Sequence, residues 1–176
     1  RRALEVNPEA ISMDVGSGSG IEAHDTAHYS IFDQWGNAVS NTYTLNISFG
    51  SGVIVEGGGF LLNDEMDDFS VKPGVPNTYG VVGSKANAIE PGKRMLSSMT
   101  PTILLKDGAV VMVIGTPGGS TIFTSVFQTI VNIMDFGMTP AEAAAATRFH
   151  HQLLPADLIV YSPCCPLPAE TISALS

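Results

Sequence analysis

The chain has 176 residues, of which 44% are hydrophobic and 14% charged, and its formal net charge is -9 at pH 7. This composition supports a hydrophobic core and argues against disorder, and the length is within the usual range for one domain. The acidic balance and the absence of a Lys/Arg cluster argue against nucleic acid and anionic membrane surfaces as partners, because both are bound by neutralising phosphates. No apolar run approaches the roughly 20 residues that a transmembrane helix needs.

The first 25 residues read as a tail or linker. The glycine-serine run at 16–20 is typical of a flexible segment, and nothing before it keeps a regular period. A strand pattern begins at Thr26, where "HYSIFD" and "AVSNTYTLN" flank the turn residues of "DQWGN". The sequence therefore predicts a β-hairpin that starts at Thr26.

The middle of the chain alternates short apolar pieces with glycines and prolines. The segment "VKPGVPNTYG" predicts an irregular loop around Pro73 and Pro76. Further on, "TILL" and "VVMVIG" flank a turn at Lys106–Gly108, which predicts a second hairpin.

Two helices are predicted after this hairpin. The segment "STIFTSVFQTIVNIMDFG" has apolar residues on most faces and ends at Gly137, which predicts a buried helix with a glycine C-cap. The next helix has Thr139 as N-cap, Pro140 in its first turn and Glu142 as capping-box partner. Strands followed by helices favour an α+β fold. The proline-broken end of the chain predicts no further element, and its adjacent Cys164 and Cys165 indicate no role.

Common catalytic motifs are missing. The sequence contains no G-x-S-x-G, S-x-x-K, P-loop or H-E-x-x-H pattern. His150 and His151, predicted at a helix end, point in different directions there, so a surface or packing role is favoured over metal binding. The acidic "NDEMDD" lacks the spacing of a calcium loop and reads as a solvated loop. The "GTPGGS" segment fits an anion site or oxyanion hole, and equally a plain turn before a helix.

Thr26 is the candidate nucleophile. A threonine hydroxyl is weak unless a base lies beside it, and the α-amino group of a chain-terminal threonine, which titrates near 8, can be that base. Cleavage of the bond before Thr26 would create this arrangement, and a flexible linker leading to a strand suits such a cut. On spacing alone, the favoured interpretation is that Thr26 is an ordinary residue at a strand edge.

Several long motifs in series change this weighting. The segments "TAHYSIFDQWGNAVSNTYTLN", "LLNDEMDDFSVKPGVPN", "KRMLSSMTPTI", "GTPGGS" and "RFHHQLLP" resemble the small subunit of the γ-glutamyltranspeptidases, from about Thr26 to about Pro155. The resemblance implies the N-terminal nucleophile hydrolase fold, a four-layer αββα sandwich of α+β class. It also implies self-cleavage between Asp25 and Thr26, with residues 1–25 ending a large subunit and 26–176 forming the small one.

The resemblance also assigns site residues. It implies attack by Thr26 on the γ-glutamyl amide of glutathione or related donors, with transfer to water or to an amino acid or peptide. No metal or cofactor is implied. The assigned residues are Thr44 as hydrogen-bond partner of the nucleophile, Gly118 and Gly119 as oxyanion hole, Asn46, Glu65 and Asp68 for the donor's α-amino end, Ser97 and Ser98 for its α-carboxylate, and Tyr79 within a lid at Pro73–Ser84.

Two alternatives stay open at this point. A related acylase of the glutaryl or cephalosporin type would use the same nucleophile with another acyl group, and a non-catalytic remnant would only bind a partner subunit. The family's small subunit continues beyond "RFHHQLLP", where the match fades, so a C-terminally truncated sandwich is expected. The resemblance implies a periplasmic, secreted or cell-surface location and a heterodimer with the large subunit.

Overall fold

The structure, a computed structural model, describes residues 5–6, 26–162 and 165–175. The chain divides into two compact units, residues 23–122 and residues 1–22 with 123–176. The strands are β1 (Glu5–Val6), β2 (Thr26–Phe32), β3 (Ala38–Thr44), β4 (Thr102–Lys106), β5 (Ala109–Ile114), β6 (Phe149–His150) and β7 (Leu158–Tyr161). The α-helices are α1 (Ile122–Met134), α2 (Pro140–Ala145) and α3 (Ala169–Leu175), and short 3-10 helices span Glu65–Asp68, Lys85–Asn87 and Gly119–Thr121.

Strands β2 and β3 form the predicted first hairpin. They pair antiparallel from Thr26 opposite Thr44 to Phe32 opposite Ala38. One carboxylate oxygen of Asp33 accepts the main-chain N–H of Trp35 at 2.9 Å and of Asn37 at 2.8 Å. The second oxygen accepts the Asn37 side-chain amide at 2.7 Å. The predicted turn chemistry is therefore confirmed.

The two faces of this hairpin differ in character because side chains alternate along a strand. One face, called the polar face below, carries the cross-strand pairs Thr26–Thr44, His28–Thr42 and Ser30–Ser40. The opposite face is apolar, and its members remain 44% to 57% exposed: Tyr29, Ile31, Val39 and Tyr43. The hairpin thus presents hydroxyls and an imidazole on one side and an uncovered apolar surface on the other.

The second predicted hairpin is β4–β5, which is also confirmed. Its turn uses Asp107 at φ 52° and Gly108 at φ 81°, and a register shift falls between Leu104 and Leu105. The Ser40 hydroxyl on the polar face donates to the Ile114 carbonyl at 3.0 Å. This bond ties the first hairpin to the end of β5, shortly before the glycines at 118 and 119.

The other unit contains the α-helices and a three-stranded sheet in the order β1-β7-β6. The predicted capping box at Thr139 and Glu142 is present, and Gly137 lies at φ 68° after the end of α1. The expectation that α1 is buried on most faces was wrong, since Phe123 is 48% and Phe127 66% exposed. Helix α1 buries Ile122 and Val126, and the described part of the chain leaves Phe123 and Phe127 exposed.

The end of the chain contains more structure than its prolines indicate. Strands β6 and β7 and helix α3 were not predicted there. His150 lies at the end of a strand, not a helix, because α2 already ends at Ala145. It is 4% exposed, and its ring nitrogens lie 2.9 Å from the Thr124 hydroxyl and 2.7 Å from the side-chain amide oxygen of Gln152. Of the surface or packing role predicted for His150, its burial supports packing, and the α+β class also holds.

No described helix combines the length and the hydrophobicity that a membrane crossing would need.

Candidate active site

The hydroxyl of Thr26 is held in place at the open end of the first hairpin. Thr26 is the first residue of β2 and lies opposite Thr44, the last residue of β3. Its Oγ1 donates to Thr44 Oγ1 at 3.1 Å, and Thr44 Oγ1 also accepts the Asn46 N–H at 2.9 Å. Both threonines are half-buried. The arrangement fixes the orientation of a hydroxyl at a strand end, as a nucleophile requires.

Asn46 makes the turn that follows β3. It is 5% exposed and has a φ of 79°, a left-handed conformation that asparagine tolerates better than most residues. Its side-chain amide donates to the Asp64 carbonyl at 3.4 Å, and the Asp64 carboxylate accepts the Ile47 N–H at 3.2 Å. Asp64, immediately before the acidic 3-10 helix, thus braces the turn that holds Thr44.

Tyr79 connects this turn to the glycine pair. Its hydroxyl donates to the Asn46 carbonyl at 2.6 Å. A Cβ added to Gly119 would lie 3.0 Å from Cδ1 of the Tyr79 ring, so the ring packs against the backbone there. Gly118 and Gly119 have φ angles of 139° and 54°, which glycine alone adopts freely. The backbone angles at both positions therefore require glycine, and at Gly119 the Tyr79 ring also leaves little room for a side chain.

Glu65 and Asp68 form an acidic pair on the 3-10 helix Glu65–Asp68. Their side chains are hydrogen-bonded to each other, and burial, together with the nearby charge of Asp68, raises the pKa of Glu65 to about 7. Burial also raises the pKa of Asp68, against the opposing effect of the hydrogen bond from Glu65. Oε1 of Glu65 is buried and lacks a hydrogen-bond partner. The pair retains a proton near neutral pH and is suited to a cationic group that would replace that proton.

The two serines lie on an extended segment before β4. Ser97 is exposed and its Oγ accepts the Met99 N–H at 3.2 Å, while Ser98 is half-buried and its carbonyl accepts the Thr100 hydroxyl at 3.0 Å. Asn87 connects this segment to the acidic pair. Its side chain donates to the Asp68 carbonyl at 2.7 Å and accepts the Leu96 N–H at 3.1 Å.

The structure thus brings the predicted residues into two linked groups within residues 23–122. Direct contacts join the first group, which consists of Thr26, Thr44, Asn46, Tyr79 and Gly119. The second group consists of Glu65, Asp68, Ser97 and Ser98, and Asn87 bridges its two parts. The segment Pro73–Ser84 folds back on itself through a bridge between Pro76 and Val82. Asp25 lies outside the described residues.

Sequence reasoning missed His28. It follows Thr26 on the polar face, and its ring nitrogens lie 2.8 Å from the Thr42 hydroxyl and 3.0 Å from that of Ser30. Burial lowers the pKa of His28. A Cβ on Gly115 would collide with the imidazole ring, so the ring rests directly on the backbone after β5. Strand alternation from Thr26 could have placed His28 on this face, but Asp64 and Asn87 carry no comparable signal.

No group of three or more His, Cys, Asp or Glu side chains suited to a metal ion occurs within the ranges that the structure describes.

Comparison with known proteins gives a consistent result. The glutathione hydrolase proenzyme of Pseudomonas aeruginosa is 62% identical over 175 residues, which are 99% of this chain and 31% of that protein. The chain spans 27% to 31% of the first curated relatives that it matches.

Solved structures agree with this match. The γ-glutamyltranspeptidase from Pseudomonas nitroreducens complexed with L-DON superposes with a TM-score of 0.78 at 64% identity, over 84% of this chain and 77% of that chain. A variant of the Helicobacter pylori γ-glutamyltranspeptidase gives 0.79 at 55% identity, over 84% and 78%. The predicted fold class, the four-layer αββα sandwich of N-terminal nucleophile hydrolases, is therefore confirmed for the part of it that this chain forms.

The family model for γ-glutamyltranspeptidase matches residues 2–176, which is nearly the whole sequence. On this match and on the identities above, the chain belongs to the γ-glutamyltranspeptidase family.

Proposed function

We propose that this chain carries the catalytic region of an enzyme that transfers and hydrolyses γ-glutamyl groups, with glutathione or related γ-glutamyl compounds as donors. The observation that supports this most directly is the Thr26 hydroxyl, held by Thr44 at the start of β2 in a member of this family. The relative from Pseudomonas aeruginosa is named a glutathione hydrolase proenzyme, which fits both the donor and a maturation by cleavage.

The proposed reaction begins after cleavage between Asp25 and Thr26. The freed α-amino group of Thr26 accepts the hydroxyl proton while Oγ1 attacks the γ-carbonyl carbon of the donor. The N–H groups of Gly118 and Gly119 stabilise the tetrahedral oxyanion, and each such donor is worth roughly 3 kcal/mol. Collapse of this intermediate breaks the amide bond, returns the proton to the leaving amine and leaves a γ-glutamyl ester on Thr26.

The second half of the reaction releases the acyl group. Water attacks the ester to give glutamate, or the amine of an acceptor amino acid or peptide attacks to give a new γ-glutamyl amide. In both cases the α-amino group of Thr26 takes a proton from the attacking water or amine and passes it to Oγ1, which restores the hydroxyl as the ester bond breaks. The Thr26–Thr44 hydrogen bond keeps the hydroxyl aligned for the next cycle.

We propose that the acidic pair and the two serines recognise the two charged groups of the donor. The α-ammonium of the γ-glutamyl group binds Glu65 and Asp68 by charge-assisted hydrogen bonds and displaces their shared proton. The hydroxyls of Ser97 and Ser98 donate to the α-carboxylate. Asn46 shapes the same pocket, and Tyr79, which lies over Gly119, closes it as part of the lid.

A partner subunit is part of the proposal. Residues 1–25 would be the end of the large subunit and residues 26–176 the small-subunit region. The exposed apolar face of the first hairpin, which includes Ile31 at 52% and Tyr43 at 57% exposure, supports a covering partner. A periplasmic, secreted or cell-surface location is proposed from family membership.

The proposal is tested by co-expressing the chain with a large subunit of this family. The intact mass of the product and its rate with γ-glutamyl anilide are measured for the wild type, Thr26→Ala and Thr26→Ser. Thr102→Ala is the matched control, because Thr102 also begins a strand and its hydroxyl donates to a main-chain carbonyl.

We expect a product that begins at Thr26 for the wild type and the control, and an uncut, inactive product for Thr26→Ala. Thr26→Ser should retain part of both activities because it keeps a hydroxyl. Turnover by Thr26→Ala would defeat the proposal. A faster rate with glutaryl anilide than with γ-glutamyl anilide would favour the acylase alternative, and an uncut wild type would favour the non-catalytic remnant.

A further inference from the structure

We propose that Asn87 is a positioning residue that sets the spacing between the ammonium-binding and carboxylate-binding parts of the donor site. This inference rests on the proposed function, because it takes Asp68 as part of the ammonium-binding site and the Ser97–Ser98 segment as the carboxylate-binding site. Asn87 touches neither the donor nor the reacting atoms in this proposal, and it acts through the backbone of both segments.

The contacts of Asn87 are unusual because they reach two separate segments with one side chain. Its amide nitrogen donates to the Asp68 carbonyl at 2.7 Å, and its amide oxygen accepts the N–H of Leu96 at 3.1 Å. Leu96 directly precedes Ser97. The main-chain carbonyl of Asn87 accepts the Ser70 N–H at 2.9 Å, so the acidic segment is held at two points.

The stretch of chain between these two segments contains few regular elements. Between Asp68 and Ser97, a stretch that the structure describes throughout, the regular elements are the 3-10 helix Lys85–Asn87 and the isolated bridge at Pro76 and Val82. Asn87 is itself anchored, because its N–H donates to the Ser84 carbonyl at 3.1 Å. The half-buried side-chain amide of Asn87 therefore holds the acidic segment and the serine segment at a fixed separation.

The chemistry of the donor explains why this spacing matters. The ammonium and the carboxylate of a γ-glutamyl group are attached to the same carbon, so their separation is fixed by covalent geometry. A site binds both groups only when the distance between its carboxylates and its hydroxyls matches the distance between the ammonium and the carboxylate. Losing the link at Asn87 would let the two segments drift, and because both contacts hold the donor equally in the ground state and the transition state, the cost falls on donor binding and not on the acyl-transfer step.

The test compares Asn87→Ala, Asn87→Asp and the wild type, each co-expressed with a large subunit. Asn87→Ala removes both side-chain bonds. Asn87→Asp keeps an acceptor for the Leu96 N–H and replaces the amide donor to the Asp68 carbonyl with an oxygen. Asn37→Ala is the matched control, because it also removes an asparagine amide that donates at 2.7 Å, there in a hairpin turn.

Three quantities are measured: the intact mass after self-cleavage, kcat and KM with γ-glutamyl anilide, and the Kd of L-glutamate by calorimetry. We expect both Asn87 variants to self-cleave, to raise KM and Kd by about tenfold or more, and to keep kcat within a few fold. Asn37→Ala should leave KM and Kd unchanged. A purely structural role would instead lower the active fraction, and so kcat, at constant KM.

An unchanged KM and Kd in either self-cleaving Asn87 variant would overturn the inference. If Asn87→Ala does not fold, the milder Asn87→Asp decides alone. A wild type that binds L-glutamate without turning over the donor would refute the proposed activity, and the Kd values would still decide the role of Asn87. A wild type that shows neither binding nor turnover would overturn both.

Discussion

The hydroxyl of Tyr79 donates a 2.6 Å hydrogen bond to the main-chain carbonyl of Asn46, while its ring lies against Gly119. One side chain therefore connects the turn after Thr44 with the glycine pair. The bond is the only part of this connection that a phenylalanine would lose.

We predict that Tyr79→Phe leaves kcat nearly unchanged and raises KM by a few fold, because the ring remains but its anchor is gone. A neutral hydrogen bond of this kind contributes about 1 kcal/mol. Limited proteolysis should also cut the Pro73–Ser84 segment faster. Tyr43→Phe is the control, since it also removes a tyrosine hydroxyl but lies on the face of the first hairpin opposite Thr26. A lower kcat at constant KM would contradict the lid assignment.

Binding of L-glutamate should weaken as the pH falls through about 7. The pKa of Glu65 is raised to about 7, so the acidic pair takes up a proton below that pH and loses charge facing the donor ammonium. We expect the Kd to rise by up to about tenfold per pH unit below this point. Calorimetry on the wild type and on Glu65→Gln checks this. A variant with the same pH profile as the wild type would show that another group is responsible.

The raised pKa of Glu65 also makes the stability of the fold depend on pH, in the direction opposite to that for glutamate binding. The pKa of Glu65 is about 7 in the folded chain against an ordinary value of 4.5, so between these values the folded state holds a proton that the unfolded state releases. Stability therefore falls as the pH rises through this window. We predict that Glu65→Gln raises Tm above that of the wild type near pH 8, with a smaller difference near pH 5.

Thermal unfolding at both pH values checks this prediction. The exposed Glu56 provides the control, because Glu56→Gln removes one carboxylate outside the site. Equal effects of the two substitutions would show that net charge, and not the buried pair, governs the change.

Gly115→Ala should damage both stability and turnover. The new methyl group would collide with the imidazole of His28, and the backbone after β5 must then move. Overpacking of this kind costs about 1–3 kcal/mol. Gly118 and Gly119 follow within the same segment, so we also expect a lower kcat with little change in KM.

A double-variant cycle isolates this contact. Adding His28→Ala to Gly115→Ala removes the ring that the methyl group strikes, so the two destabilisations should be strongly non-additive. Chemical denaturation of the four proteins gives the coupling. Simple additivity would show that Gly115 is required for a reason other than the ring.

The sequence predicted those parts of the molecule in which local chemistry and period agree. Alternation and turn residues placed both hairpins, and the Thr139–Glu142 pair placed the start of α2. The burial of α1 was mispredicted because its apolar faces say nothing about what covers them, and Phe127 stays exposed here. Strands β6 and β7 are too short, and their surroundings too rich in proline, to show a period.

The site was predictable only by resemblance. Spacing alone did not favour Thr26 as a nucleophile, and the acidic "NDEMDD" segment read as a solvated loop. The structure adds the long-range contacts that no local pattern contains. The rings of His28 and Tyr79 rest on glycine backbones far away in sequence, and Asn87 joins two loops whose sequences give no sign of each other.

Residues 34–37 of the first hairpin turn are exposed, yet the length of the strand that leads into this turn cannot be changed freely. Seven consecutive cross-strand pairs run from this turn to Thr26 and Thr44. Inserting one residue in the strand before it, with the turn kept, would rotate Thr26 to the side now occupied by Tyr29 and Tyr43. A one-residue change in the length of the strand beside this exposed turn should therefore displace Thr26 from its place opposite Thr44 while still allowing the two strands to pair.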